Sequence, residues 1–302
     1  TSSEVPSGYA GVSWSAPTYD ATVVEVSTRD DLVTAAKAGG KIIVVKGMID
    51  MTGGMLPSKG GDTTTELDDF VNTTTSGAYT TYSAWKAAYA AACTLTSDDE
   101  KSGDYNTGLY STLWALSNAY KSQIQLVVAS KTMIVGADSS SGIKGANISL
   151  SGVEYVTLRN LIIQDAYDPF PHHEVKSDKA TSDGYNAQWD CITIQGDTSH
   201  VWIDHCILED TLTLDHVYTS GVASDDYKEK WQTYDGLLDI KGKSEYITVS
   251  YTKFKNHDKT SLLGSDDSEG NDASSRLITY HHNYFYNCGK RLPMMRNGTF
   301  HL

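Results

Sequence analysis

Four segments of the chain carry one pattern of apolar and polar positions. They are VEYVTLRNLIIQD (153–165), SHVWIDHCILED (199–210), SEYITVSYTKFKNH (244–257) and SRLITYHHNYFYN (275–287), and they align without gaps at their centres. Val156, Val201, Ile247 and Ile278 correspond, as do Leu158, Ile203, Val249 and Tyr280, and Ile163, Leu208, Phe254 and Phe285. From Val156 onward the copies are spaced by 45, 46 and 31 residues. A second short strand pattern lies between copies, in DCITIQG (190–196), DGLLDIKG (235–242) and DKTSLLG (258–264), and each ends in glycine. Alternation with a period of two predicts strands. Repetition of such strands with loops of varying length predicts stacked coils. No helical periodicity separates the strands, which argues against a βαβ sheet, and a propeller would repeat more evenly. The pattern predicts an all-β chain folded as a parallel β-helix, with inward ladders of Val, Ile, Leu and Phe.

The first half follows other periods. STRDDLVTAAKAGGKIIVVKGMID (27–50) reads as a capped helix, a Gly-Gly stop and a strand, so a helix is expected to close the open core of the first coil. In residues 79–95, Trp85, Ala88, Tyr89 and Ala92 form a helical stripe, and Leu113, Leu116 and Tyr120 repeat it in 109–120. Residues 54–125 are therefore expected to be a mostly helical insertion in a single domain spanning 1–302, with strands resuming at KTMIVGAD (131–138).

Composition changes this picture only by exclusion. Lys+Arg 24 against Asp+Glu 38 gives a net charge of −14, which argues against nucleic acid as the partner. It leaves an acidic ligand open, because a cation or a local Lys/Arg cluster can hold an anion on an acidic protein. No apolar run is long enough to span a membrane. The N-terminus has no signal-peptide pattern but suits a mature start. Four cysteines are too few for a disulfide scaffold. Cys206 shares an inward ladder with Leu161 and Thr252, which favours a buried free thiol there.

The candidate chemistry lies in TYDGLLDIKG (233–242). Asp235, Asp239 and Lys241 occupy one face of a strand. Aligning Gly196, Gly242 and Gly264 sets Thr193 beside Asp239 and Asp190 one residue from Asp235. Asp190, Asp235 and Asp239 then converge on one outer patch. Like charges on adjacent coils repel unless neutralised, and three carboxylates suit a hard cation such as Ca²⁺. Lys241, Lys259, Arg291 and Arg296 add a basic strip beside this patch. Arginine binds carboxylate bidentately, so the combination suits a polyanion with regularly spaced carboxylates, a uronate chain above all. Asp204/His281 and His205/His282 fall at equivalent coil positions and read as stacked polar ladders. His257 and Asp258 beside Lys259 read equally well as support for that lysine or as ordinary polar strand residues.

QWDCITI, VWIDHC, DGLLDIKG, YITVSYTKFKNHDKTSLLGSDDS, ITYHHNYF and RLPMMRNGTFHL together resemble the ordered motif series of the family 1 polysaccharide lyases, the pectate lyases. The resemblance runs from about 131 to 302, and IIQDAYDPFP (162–171) resembles the calcium-dependent bacterial members. It implies a right-handed parallel β-helix, secretion, and endo-type cleavage of α-1,4-linked polygalacturonate by β-elimination. By resemblance, Asp190, Asp235 and Asp239 match the primary Ca²⁺ ligands, Lys259 and Lys241 match substrate-carboxylate contacts, Arg291 matches the catalytic base, and Arg296 is the second arginine of that motif. Gln188 departs where some members carry a further Asp, and Met294, Met295 and Asn297 depart within the last motif. RNGTFHL ends where the family continues into further coils, so another segment or a partner is expected to cover the last coil. A polygalacturonase would instead need paired carboxylates around a water, and a pectin lyase would lack the aspartate cluster. A non-catalytic uronate-binding protein would not need the catalytic set together.

Overall fold

The computed structural model describes residues 4–14, 23–93, 108–175, 182–212, 231–265 and 276–302. Its strands run parallel in three stacked faces, apart from one antiparallel hairpin, and form a parallel β-helix. The first face stacks Val24–Val26, Ile42–Val45, Thr132–Gly136, Glu154–Arg159, Ser199–Asp204, Glu245–Ser250, Leu277–His281 and Thr299–His301. The second contains Met48–Asp50, Gly142–Lys144, Ile162–Gln164, Ile207–Glu209 and Tyr284–Lys290. The third contains Gln125–Val127, Asn147–Ser151, Ile192–Gln195, Gly236–Ile240 and Met294–Met295. Lys253–Leu263 joins the second face to the third, pairing with Ile207–Glu209 near its start and Gly236–Ile240 near its end. The 258–264 pattern, expected as a separate strand, is thus the continuation of the one before it. No loop interrupts the chain there, whereas long segments are inserted at the same corner after Asp50, Gln164 and Glu209.

The inward ladders follow the alignment. Val156, Val201, Ile247 and Ile278 stack in register, as do Ile163, Leu208, Phe254 and Phe285. Phe254 is fully buried and stacks on Phe285 at 4.8 Å. Truncating such a core ring to alanine costs about 3–5 kcal/mol. At the corner after the first face the backbone turns left-handed at Asn160, His205, Tyr251 and His282 in successive coils, and the rings of His205, Tyr251 and His282 stack at 4.8 Å each. Asp204, Ser250 and His281 form the adjoining ladder, with Ser250 Oγ donating to Asp204. Cys191 and Cys206 are buried free thiols.

Helix Arg29–Ala38 begins where Thr28 Oγ1 accepts the Asp31 N–H and ends at Gly39, whose φ of 66° a side chain would strain. Its Leu32, Ala35 and Ala36 join the main core and close the first coil. The insertion contains helices Thr65–Thr74, Tyr82–Ala92 and Gly108–Ile124, the second and third matching the two helical stripes. Residues 94–107 of the expected insertion lie outside the described residues. Ala92 is exposed, because the last turn runs past the aromatic cluster that Tyr82, Trp85 and Tyr89 enter. That cluster rests on Phe170, and Tyr82 and Tyr120 donate their hydroxyls to the carbonyls of Pro169 and Tyr167.

The hairpin His172–Val175/Ser182–Asn186 was not foreseen, since among the described residues it repeats nowhere else. His172 is buried against Trp114, and neither of its ring nitrogens has a hydrogen-bond partner among the described residues. Burial lowers its pKa to about 4. The folded state therefore holds this ring neutral, and its contribution, present above the free value of about 6.5, is lost as pH falls through about 4. A His172→Phe variant should gain on the wild type by up to about 3 kcal/mol between pH 6.5 and 4. Denaturant unfolding at several pH values checks this; a pH-independent difference would show that His172 is not held neutral.

Candidate functional site

The expected acidic patch forms on the third face. Thr193 pairs with Asp239 in register, and the Cys191 N–H donates to the Gly236 carbonyl, which sets Asp190 beside the start of the next strand. Asp190 is anchored from three directions. Its Oδ1 accepts the Gly236 N–H at 3.0 Å, its Oδ2 accepts the Thr193 hydroxyl at 2.9 Å, and its carbonyl accepts the Asn147 amide at 2.8 Å. Asp239 Oδ1 accepts the Leu262 N–H at 3.2 Å. Each carboxylate thus accepts one backbone N–H, from Gly236 for Asp190 and from Leu262 for Asp239, and Asp190 is held further by the Thr193 and Asn147 side chains.

Two lysines neutralise the patch. Lys241 Nζ lies 3.2 Å from Asp190 Oδ2 and 3.3 Å from Asp239 Oδ2. Lys259 Nζ donates to Asp235 Oδ1 at 2.6 Å and to Asn186 Oδ1 at 2.7 Å. Burial and then the neighbouring Asp190 push the Asp239 carboxyl up to about 8. Burial followed by the Asp235 charge raises Asp190. Burial also opposes ionisation of Asp235, but Lys259 outweighs it and holds that carboxyl below its usual range. Burial works against the Lys241 ammonium, and the flanking carboxylates reverse this and raise its pKa.

Arg291 is half-buried, and its charge favours ionisation of both Asp235 and Asp239. Its carbonyl accepts the Ser261 N–H at 2.9 Å. Arg296 is turned elsewhere: its guanidinium donates to the carbonyls of Ser265 at 3.1 Å and Gly264 at 3.4 Å. Asp190, Asp235, Asp239, Lys241, Lys259 and Arg291 are therefore brought together, while Arg296 sits at the strand end. Met294 and Met295 pair with Leu262 and Leu263 and extend the same face. Gln188 fixes the approach to Asp190, its N–H donating to buried Asp168 and its side chain to the Asn186 carbonyl. Asp266 and Asp267 of the lyase-like motif lie outside the described residues.

Three features escaped the sequence reading. Asn186 reaches Lys259 from the hairpin. Asp168 is fully buried, and burial raises its pKa to about 7. At Gly236 a Cβ would lie 2.6 Å from Asp239 Oδ1 and 2.7 Å from Asp190 Oδ1, so only glycine leaves the two carboxylates their shared space. The terminal glycine of DGLLDIKG drew attention in the sequence, but the internal one carries the steric signal.

Among the described residues no group of three or more His, Cys, Asp or Glu side chains is arranged, as it stands, to hold a metal ion. The chemistry of the donor set nevertheless suits a hard divalent cation, with three carboxylates, two of which crowd over Gly236 and are bridged by the Lys241 ammonium. Gly236→Ala should fold yet weaken cation binding by at least about 10-fold, the range that disturbed ligand positioning produces. Calcium calorimetry beside circular dichroism checks this, and wild-type affinity in a folded variant would place the cation elsewhere.

A family model described as pectate lyase matches residues 87–302, more than half of the chain. Pectate lyase E of Dickeya chrysanthemi is 38% identical over 182 residues, covering 60% of this chain and 44% of that protein. The pectate lyase of Bacillus subtilis (strain 168) is 36% identical over 182 residues, covering 60% and 41%. The chain thus spans less than half the length of the curated relatives it matches. Among solved structures, an arginine-to-lysine mutant of Bacillus subtilis pectate lyase superposes with a TM-score of 0.74 at 27% identity, covering 97% of this chain and 69% of that one. A pectate lyase from Acidovorax avenae subsp. citrulli gives 0.80 at 24% identity, covering 99% and 67%, and shares the fold. A pectate lyase bound to hexasaccharide gives 0.70 at 26% identity, covering 97% and 69%. With the stacked coils and the acidic–basic patch in place, the match over residues 87–302 makes this chain a member of the pectate lyase family.

Proposed function

We propose that this chain cleaves α-1,4-linked polygalacturonate by Ca²⁺-assisted β-elimination, with endo attack and 4,5-unsaturated products. The observation that carries the reading is the convergence of Asp190, Asp235 and Asp239 with Lys241, Lys259 and Arg291 on one face of the β-helix. Asp190, Asp235 and Asp239 are the residues that would hold calcium, which supplies a positive charge where the uronate carboxylate gathers electron density.

The protein groups act around that charge. Lys259, held between Asp235 and Asn186, donates hydrogen bonds to a substrate carboxylate oxygen in place of one of these acceptors. Lys241 keeps Asp190 and Asp239 compatible with each other and adds cationic character to the cleft. Arg291, which makes no side-chain hydrogen bond or ion pair among the described residues, takes the proton from C5. The released electron pair becomes the C4–C5 double bond, and the C4–O bond breaks with its electrons leaving on the glycosidic oxygen, which takes up a proton from water. Arginine is ordinarily always protonated, so a rate that increases toward alkaline pH is the natural consequence of such a base. Arg296 would meet a uronate unit beyond the reacting one only by exchanging its bonds to the Gly264 and Ser265 carbonyls for a substrate carboxylate.

A polymeric substrate of this kind is met outside the cell, and the proposed site of action is extracellular. No described helix is long and apolar enough to cross a membrane. Mass spectrometry of the products tests the reaction class. Eliminated ends are lighter by one water than hydrolysed ends, and saturated products would replace this reading with hydrolysis.

A further inference from the structure

His257 bonds the main chain of the acidic patch from the neighbouring strand. It lies in the strand Lys253–Leu263 and is 1% exposed. Its Nδ1 is 2.6 Å from Asp210 Oδ2, and its Nε2 is 2.7 Å from the Asp235 carbonyl oxygen. Asp210 is itself fully buried. A carboxylate and a carbonyl are both acceptors, so both ring nitrogens serve as donors. The ring therefore ties together two points far apart in the chain: Asp210, just after the strand Ile207–Glu209, and Asp235, just before Gly236–Ile240.

The consequence concerns Asp235. Residues two apart in a strand share a face, and Lys259 follows His257 by two. One strand thus grips Asp235 twice, His257 through its carbonyl and Lys259 through its carboxylate. Asp190 is anchored by Gly236, the residue next to Asp235, so any shift of the Asp235 backbone moves two of the three carboxylates. Among the described residues the register pairing with that strand begins only at Gly236, with Lys259.

We infer that the buried Asp210–His257 pair is a positioning unit for the cation site, setting the Asp235 main chain through the Nε2–H···O=C bond. This rests on the reading of Asp190, Asp235 and Asp239 as cation ligands. His257 touches neither cation nor substrate in this role; it acts through Asp235.

The two bonds can be separated chemically. A glutamine at 257 carries an amide nitrogen near the position of Nε2 and keeps a donor for the Asp235 carbonyl. An asparagine carries one near Nδ1 and keeps only the Asp210 bond. Both lose the ring, so a purely structural role would affect both alike. Calcium affinity is measured by calorimetry on wild type, His257→Asn and His257→Gln, with melting temperature as the check on folding. The positioning role predicts a loss of roughly 10- to 100-fold for His257→Asn, the range for groups that orient metal ligands, and substantial retention in His257→Gln. If His257→Gln leaves Asp210 too poorly matched to fold, the double variant Asp210→Asn/His257→Gln supplies the same comparison without a buried charge. Equal affinities in the Asn and Gln variants, or a folded His257→Asn variant that binds like wild type, overturn the inference. Absence of calcium binding by the wild-type chain overturns the cation-site reading itself, and the inference with it.

Discussion

Replacing Arg291 with lysine should lower kcat by about 10²-fold or more, the range of a positioned acid–base group, and leave KM nearly unchanged. Lysine keeps the charge but loses the planar fork and its reach. If Arg291 only held a substrate carboxylate, the loss would fall mainly on KM, because removal of uniform binding leaves the rate at saturation intact. Lys259 and the acidic patch are untouched by the substitution, so the chain should still bind. The geometry supports the assignment in two ways. Arg291 faces Asp235 and Asp239 closely enough for its charge to favour their ionisation. Its guanidinium is also uncommitted among the described residues. Steady-state kinetics on polygalacturonate decide the matter: a near wild-type kcat for Arg291→Lys would remove the role of base.

The second large effect is expected at Asp239. Asp239→Asn should raise the calcium needed for half-maximal turnover at least about 10-fold, since losing a ligand should cost no less than losing a group that orients one. The fold should survive, because the carboxyl sits in surroundings that resist its charge. Its pKa is raised to about 8 by burial and by Asp190. A raised carboxyl pKa means that the folded state holds the proton more tightly than the unfolded chain. That contribution is complete below the ordinary carboxylate value and is lost as pH rises through about 8. The asparagine has no proton to release. In metal-free buffer its stability should therefore fall less steeply than that of wild type between pH 5 and pH 9. Calorimetry and denaturant unfolding at the two ends of that range measure both effects, and unchanged calcium affinity in a folded variant would return Asp239 to the status of a buried structural acid.

Much of this arrangement was legible because a β-helix converts sequence repetition into spatial contact. Aligning the three terminal glycines put Thr193 beside Asp239, and the strands pair in that register. Those glycines end their strands with φ of 66°, 64° and 98°, a conformation that side chains disfavour, so they mark a geometric position as well as a composition. The apolar ladders followed from the same alignment. What could not be read depends on contacts that do not repeat. Among the described residues the hairpin that brings Asn186 to Lys259 occurs in one coil only. The bonds from His257 to Asp210 and to Asp235 join residues 47 and 22 apart, across segments whose lengths set no periodic signal. Gly236 looked like any strand glycine until the two carboxylates were seen to converge over it. Arg296 carried the expected motif position, yet it lies at the strand end on the Gly264 and Ser265 carbonyls.

The central claim is that this acidic–basic face performs a cation-assisted elimination. The most direct test follows the absorbance of the unsaturated product during incubation of the chain with polygalacturonate, first with added Ca²⁺ and then with a chelator. The account predicts steady growth of absorbance with calcium, its loss on chelation, and its return when calcium is restored in excess. Product that accumulates at the same rate in chelator, or chain shortening with no absorbance change, would contradict it.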